Sequence, residues 1–381
     1  MTSPTLSSWI HILNDHYTAL YPSALATVTS ETSRYHVKNS GDVKVAVHKG
    51  ALHDYPVGEG IELNFGPGVK RWQRLVDATL AKTGGVRPFG ARQYQGITSD
   101  IKGSRSVILI HNGPEAVSVL KKANPEALVC HWAHNEFWRT YGRRELKALV
   151  ATADRMICVS DYIANELRAK LGSDSDKIRV VNNGIDIERF KPAALPVEEP
   201  VVSFIGRVYH LKGPHLLLKA AQLLDNGERK FKVRIVGGVK ADSPEALPPY
   251  EKELRELAQP LSDKVTVEFV SAVNRLQIIE EYQKASIFCV PSVWNDPCPL
   301  TVLEGMACGI ATVTTKRGGI PEMGADAVQY FDPDDPNTLA QILAPMIENA
   351  SERARWGEKA RARAEAMSWE KQYEVLLKAI Q

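Results

Sequence analysis

Two pairs of side chains in the second half of this 381-residue sequence could do chemistry on an anionic, hydroxyl-rich ligand. Arg207 follows Gly206 at the end of an apolar run, and Lys212-Gly213 opens the next helical stretch. That spacing sets two cations beside a helix N-terminus, where free backbone N–H groups and the helix dipole already favour an anion. Two cations there suit a diphosphate. The second pair is acidic. Asp296 falls in a loop after an apolar run, and Glu304, seven intervening residues on, falls in the helix that follows. Carboxylates at two points of one ligand can accept charge-assisted hydrogen bonds from sugar and ribose hydroxyls. In the first half, His111-Asn112-Gly113 and Cys130-His-Trp-Ala-His134-Asn135-Glu136 each follow or end an apolar run.

Those residues need a scaffold that brings loop ends together, and the pattern supplies one. Short apolar runs at 43–47, 107–110, 127–130 and 156–159 alternate with helical stretches. One stretch opens at Gly66-Pro-Gly68 and runs to about Lys82, with Trp72, Leu75, Val76, Thr79 and Leu80 on one side. Ser160-Asp161 is an N-cap signal for another. After an Asn-, Gly- and Pro-rich segment at 180–200, which suits a hinge, the alternation restarts. Strands are expected at 201–205, 231–236, 265–270, 287–291, 311–314 and 328–331. Helices are expected near 214–225, 250–260, 275–285 and 300–308, then at 336–349, 351–366 and 369–380. This is the α/β pattern of two doubly wound, Rossmann-like domains with parallel sheets, facing each other across a cleft. Ligands of such sheets bind at the carboxyl ends of the strands. The first forty residues read least clearly: 9–25 is compatible with a helix, and 23–34 is rich in Ser and Thr without a period.

Composition narrows the function classes. The chain is 44% hydrophobic and 24% charged, ordinary for a globular protein and unlike a disordered one. Net charge is +2, with 23 Lys+Arg against 17 Asp+Glu up to residue 185 and 24 against 28 after it. This is too even for a nucleic-acid binder, although it fits a first half that meets an anionic surface. No apolar run reaches eighteen residues, and 1–20 lacks the basic start and apolar core of a signal peptide, so a cytoplasmic protein is expected. Five scattered cysteines (Cys130, Cys158, Cys289, Cys298, Cys308) form no C-x-x-C pair, which argues against disulfides and structural zinc. No Asp-x-Asp stands near the basic pair and no G-x-G-x-x-G follows an expected strand, so neither a metal nor a dinucleotide cofactor is expected.

The second half resembles the retaining family-4, group 1 glycosyltransferases of GT-B fold. The resemblance rests on Gly206-Arg-Val-Tyr-His-Leu-Lys-Gly213, on Asp296-x7-Glu304 with Glu-Gly-Met-Ala-Cys-Gly, and on Gly318-Gly-Ile-Pro-Glu322. Asn183-Gly-Ile-Asp186 and Ser368-Trp-Glu370 extend it. It implies domains at 1–185 (acceptor side) and 186–365 (nucleotide sugar), with a terminal helix at 366–381 crossing back. It implies a hexose-type donor, a UDP-sugar before GDP-mannose, and a saccharide or lipid-linked saccharide acceptor of bacterial surface polysaccharide or lipopolysaccharide synthesis. Arg207 and Lys212 would bind the diphosphate, Glu304 the ribose, and Asp296 the transferred sugar. The family usually has Glu where Asp296 stands. Its Gly-Phe-Gly is replaced by Pro297-Cys298-Pro299, which leaves the amides of Cys298, Leu300 and Thr301 to reach the donor.

In the first half, the resemblance puts His134 over the donor sugar with Asn135 beside it. His111 and Asn112 are candidates for the acceptor side, and Gly58 and Gly60 for the family's glycine loop. It further implies front-face substitution in which the donor phosphate helps to deprotonate the acceptor. A sugar-nucleotide epimerase or hydrolase of the same fold, or a non-catalytic nucleotide-sugar-binding protein, are the alternatives. Lys70, Arg71 and Arg74 around Trp72 leave two expectations open: a solvated helix whose Trp72 packs into its domain, or peripheral contact with an anionic bilayer on its inner face.

Overall fold

The apolar runs form two parallel sheets. A computed structural model describes residues 7–13, 15–20, 23–82, 87–101, 105–172, 175–194, 197, 199–239 and 246–381. Contacts divide the chain into one unit reaching Asn183 together with Trp369–Gln381, and a second of Gly184–Ser368.

In the first unit the strands are β1 (Ser8–Ile12), β2 (Asp42–His48), β3 (Glu59–Leu63), β4 (Val107–His111), β5 (Leu128–Ala133), β6 (Arg155–Cys158) and β7 (Ile178–Val180). Their order is β3-β2-β1-β4-β5-β6-β7, and every neighbouring pair is parallel. Every residue of β4 is buried, as expected of a strand covered on both faces. The helices are α1 (Ala24–Lys38), α2 (Arg71–Lys82), α3 (Pro88–Gln95), α4 (Pro114–Ala123), α5 (Arg143–Thr152) and α6 (Asp161–Leu171). Ser160 caps α6 as its sequence foretells, its hydroxyl accepting from the Ile163 N–H at 3.3 Å.

The expectation of a helix over 9–25 is wrong. Ser8–Ile12 is a central strand, paired with both β2 and β4. Its neighbour α1 buries Thr27, Thr29, Ser30, Thr32 and Ser33, so the inward face of that helix is made of hydroxyl residues that no hydrophobic period reveals. The Thr32 hydroxyl satisfies itself on the Val28 carbonyl at 2.7 Å.

Helix α2 forms where its period predicts but faces the other way. Asp77 and Ala81 are its buried residues, while Trp72, Leu75, Val76 and Leu80 are exposed. Asp77 fixes this orientation: its carboxylate accepts from the Phe89 and Gly90 N–H groups at 3.1 and 2.8 Å, satisfying the open N-terminus of α3.

In the second unit the strands are β8 (Val201–Ile205), β9 (Phe231–Gly238), β10 (Val265–Ser271), β11 (Ile287–Val290), β12 (Ala311–Thr315) and β13 (Gln329–Phe331). They form a parallel sheet in the order β10-β9-β8-β11-β12-β13. Helices α7 (Pro214–Leu224), α8 (Pro249–Ala258), α9 (Ile278–Gln283), α10 (Leu300–Ala307), α11 (Ile320–Gly324), α12 (Pro336–Glu348) and α13 (Ala350–Ala366) accompany it. Leu217, Leu218, Phe231, Val233, Leu339 and Leu343 lie in its core. The last helix, α14 (Trp369–Ile380), belongs to the first unit, where the Tyr373 hydroxyl meets His36 Nδ1 at 3.0 Å. All five cysteines are buried.

Candidate functional site

Both sheets reverse their strand order once, at β1/β4 in the first unit and at β8/β11 in the second. A crevice opens at the carboxyl ends of the strands at such a point. Arg207, Lys212 and Asp296 stand in the loops that follow β8 and β11, His111 and Asn112 at the end of β4, and His134 and Asn135 just past the neighbouring β5, whereas Gly58 and Gly60 stand at neither switch point.

In the second unit, the loops after β8 and β11 are pressed together. Gly213 adopts φ +76°, and a Cβ there would lie 1.9 Å from the Pro291 carbonyl oxygen, so only glycine lets α7 begin so close to the end of β11. Val293 N–H donates to the Leu211 carbonyl at 3.0 Å across the same seam. This approach brings Lys212 to Asp296, and their side chains form a largely buried ion pair. The Lys212 ammonium also lies over the Trp294 ring at 5.7 Å. Arg207 is exposed, with its guanidinium 5.3 Å from the Tyr209 ring, and forms no ion pair among the described residues.

The Asp296 loop is clasped from the other side by the Gly318-Gly319 turn. Gly319 N–H donates to the Asp296 carbonyl at 2.9 Å and Gly318 N–H to Asn295 Oδ1 at 3.2 Å. At Gly318, φ is +59° and a Cβ would fall 2.3 Å from the Asp296 carbonyl oxygen. Beyond Pro297 and Pro299, α10 begins at Leu300. Leu300 and Thr301 occupy its first turn, where N–H groups have no helical acceptor. Cys298 is buried, its sulfur 3.5 Å from that of Met323.

Glu304 is 2% exposed and held by two partners that spacing alone does not pick out. Arg275, in the loop after β10, forms an ion pair with one oxygen, and the Tyr282 hydroxyl donates to the other at 2.6 Å. Burial, and then the Glu304 carboxylate beside it, hold the Tyr282 phenol protonated, well above its ordinary value. A carboxylate accepts about four hydrogen bonds, so two such partners leave room for ligand hydroxyls. The signal for Arg275 is a cation just past a strand end. The expectation of a helix from 275 hid it, since α9 begins at Ile278.

In the first unit, His11, His111 and His134 form a chain. His11 Nδ1 lies 2.9 Å from His111 Nε2, and His111 Nδ1 lies 2.9 Å from His134 Nε2. Trp132 stacks on the rings of His111 and His134 at 5.3 Å each. Asn112, at φ +53°, accepts the His134 N–H on its Oδ1 at 2.8 Å. His111 is 4% exposed with both ring nitrogens engaged, so it does not line a surface as the acceptor-side expectation had it. His134 is half-buried and Asn135 exposed. His131, within β5, is fully buried, with neither ring nitrogen bonded among the described residues. His11 escapes sequence reading because β1 does.

Gly58 and Gly60 do not form a loop after the first strand. Gly60 lies within β3, an edge strand, and Gly58 just precedes it. The segment that follows β1, residues 13–23, contains no glycine at all. Among the described residues no group of three His, Cys, Asp or Glu side chains is arranged to hold a metal ion, and no helix is long and apolar enough to cross a membrane.

Known proteins are similar to this chain in sequence and in fold. A family model described as "Glycosyl transferases group 1" matches residues 186–363, and one described as "Glycosyltransferase Family 4" matches residues 25–189. Spore coat protein SA of Bacillus subtilis (strain 168) is 28% identical over 309 residues, covering 75% of this chain and 81% of the relative. D-inositol 3-phosphate glycosyltransferase 2 of Catenulispora acidiphila is 32% identical over 236 residues, covering 58% of this chain and only 54% of that relative. Among solved structures, a glycosyltransferase from Rickettsia africae ESF-5 superposes with a TM-score of 0.73 at 19% identity, covering 98% of both chains. Anabaena Alr3699/HepE in complex with UDP superposes with a TM-score of 0.72 at 17% identity, covering 98% of this chain and 99% of that one. With two family models spanning its two parallel-sheet units from residue 25 to residue 363, the chain belongs to the group 1, family 4 glycosyltransferases of GT-B architecture.

Proposed function

We propose that this glycosyltransferase moves a hexose-type sugar from a nucleoside diphosphate sugar to a saccharide or lipid-linked saccharide acceptor, with retention and without a metal. The observation that carries the reading is the Lys212–Asp296 pair at the β8/β11 switch point, with Arg207 exposed just after β8 and in no ion pair among the described residues. In the free protein each partner neutralises the other. A diphosphate entering at the start of α7 offers Lys212 a second anion and sits within the field of Arg207. Asp296, released from its cation, is then an acceptor for hydroxyls of the transferred sugar. Departure of the nucleoside diphosphate builds negative charge on phosphate oxygens while the sugar becomes oxocarbenium-like. Two fixed cations at that point stabilise the developing charge, which is the part a divalent ion plays elsewhere. Glu304, buried and fixed in place by Arg275 and Tyr282, takes the ribose.

UDP-sugars are favoured as donors over GDP-mannose, a choice supported by the complexes of the Anabaena protein with UDP and with UDP-glucose. The acceptor is assigned to bacterial surface polysaccharide synthesis, at the inner face of the membrane. The exposed basic and apolar residues of α2 support peripheral contact with anionic lipid there.

Calorimetry against UDP, GDP and ADP, followed by incubation with the matching labelled sugar nucleotides and saccharide acceptors in excess EDTA, tests the reading. Tightest binding of UDP and a product with the donor's anomeric configuration are expected. Isomerised donor alone would make the protein an epimerase. Binding without any product would make it a nucleotide-sugar-binding protein.

A further inference from the structure

The histidine chain of the first unit has a direction. A neutral imidazole carries one N–H and one lone pair, and all three rings are held neutral. Burial, and then neighbouring His131, push His111 down to about 3. Burial first and adjacent histidines second hold His11 and His134 well below the ordinary value. With three neutral rings in series, the two bonds must run the same way. In the outward order, His11 Nδ1–H donates to His111 Nε2, His111 Nδ1–H donates to His134 Nε2, and His134 carries its proton on Nδ1. In the inward order every proton moves to the other nitrogen, and the last one sits on His11 Nε2.

The two ends of the chain are not equivalent. His11 is fully buried and its Nε2 has no partner among the described residues. Trp9, edge-on to it with ring centroids 6.0 Å apart, is also fully buried and already holds an unpartnered N–H. The inward order would add a second stranded N–H there, whereas the outward order leaves only a lone pair. Buried donors without acceptors are the rarer and more costly of the two. At the other end His134 is half-buried, and its Nδ1 makes no hydrogen bond among the described residues, which leaves it for solvent or ligand. The Thr29 hydroxyl, 3.4 Å from His111 Nε2, can turn to serve either order and does not decide between them.

We propose that His11 and His111 are positioning residues that lock His134 in the Nδ1–H tautomer, so that it meets a bound ligand as a hydrogen-bond donor. The partner must then be an acceptor: a sugar hydroxyl oxygen, a ring oxygen or a phosphate oxygen. Nδ1 cannot serve as a base. The tautomer is a property of the free chain, while its consequence for transfer rests on the function proposed above.

Long-range ¹H–¹⁵N correlation spectra of the full-length protein near pH 7.5 read the tautomer directly, because protonated and bare ring nitrogens have distinct shifts. All three histidines are expected as Nδ1–H. A His134 carrying its proton on Nε2 overturns the proposal. His11→Phe removes the buried end without touching the His111–His134 bond, and should leave His134 with both tautomers populated. His111→Phe, which keeps a flat ring against Trp132, should do the same. An unchanged His134 tautomer in either folded variant also overturns it. Transfer kcat/KM should fall about in step with the loss of Nδ1–H, with UDP affinity much less affected. A locked Nδ1–H His134 in a protein that transfers no sugar would count against the proposed function and leave the lock standing.

Discussion

At the scale of single residues, the candidate site is held by two ion pairs, Lys212–Asp296 and Arg275–Glu304. Arg207 is exposed and in no ion pair among the described residues, so Arg207→Ala should leave Tm unchanged, and on the proposed function it should lower kcat/KM at least about a hundredfold, the scale of losing one transition-state charge contact. Lys212→Ala should lower activity as much. It should also lower Tm, because it strands Asp296, whose side chain is 8% exposed, without its cation. Steady-state kinetics beside thermal denaturation separates the two. Equal Tm losses for both variants would contradict the asymmetry.

The two acids divide in the same way. Asp296→Asn should leave UDP affinity nearly unchanged while transfer collapses, whereas Glu304→Gln should weaken UDP itself in a calorimeter. Since Gln at 304 also disturbs Arg275 and Tyr282, Tyr282→Phe serves as the control. It removes one 2.6 Å hydrogen bond from Glu304, keeps the charge, and should cost about 1.5–3 kcal/mol of stability with a smaller loss of UDP affinity. Equal loss of UDP binding in the Asp296 and Glu304 variants would refute this division of labour.

At the scale of elements, α2 is the informative case. Its sequence has the period of a core-facing helix, yet Trp72 and Leu75 are 55% and 65% exposed while Asp77 is 2% exposed. A hydrophobic period states that two faces differ and does not state which one meets the domain. Here a polar bond decides it, since Asp77 serves the N-terminus of α3. Of the charged residues from 70 to 82, Lys70, Arg71, Arg74 and Lys82 are exposed and all basic. An apolar stripe fringed by cations matches an anionic lipid surface, with about 1 kcal/mol per basic residue near it. In vesicle sedimentation the protein should bind anionic but not neutral liposomes at low salt. Binding should be lost in high salt and in the Lys70/Arg71/Arg74→Ala variant. Absence of anionic-lipid binding at low salt would mean that the acceptor is met in solution.

At the scale of the whole molecule, buried neutral histidines make stability depend on pH. Burial pushes His111 and His131 to about 3 from an ordinary value of 6.5. Between those values the unfolded chain binds protons that the folded chain does not, so stability rises with pH across the window. It is fully present above about 6.5 and is lost as pH falls towards 3. The slope is about 1.4 kcal/mol per pH unit for each such histidine. Scanning calorimetry from pH 7.5 to 4 should show Tm falling progressively below pH 6.5. His131→Phe, which removes two unbonded buried nitrogens, should make that fall shallower. An identical pH profile in the variant would show that His131 takes no part.

The alternation of apolar runs and helices was enough to establish two doubly wound units. The motifs around Arg207, Lys212, Asp296 and Glu304 identified the family, because strand ends in a parallel sheet must carry the ligand-facing loops. Burial on both faces writes itself into a sequence as a near-continuous apolar run, as in Val107–Ile110 of β4. The first forty residues lacked that record. β1 carries His11 among its five residues, and α1 packs largely through Thr and Ser, so neither shows the hydrophobic contrast on which a sequence reading depends. The partners of the acids were equally invisible. Arg275 and Glu304 are 29 positions apart in sequence, Lys212 and Asp296 84, and His11 and His111 100. Pairings at such separations are fixed by which strands lie side by side and by where glycine permits backbones to touch, and these are properties of the folded sheet alone.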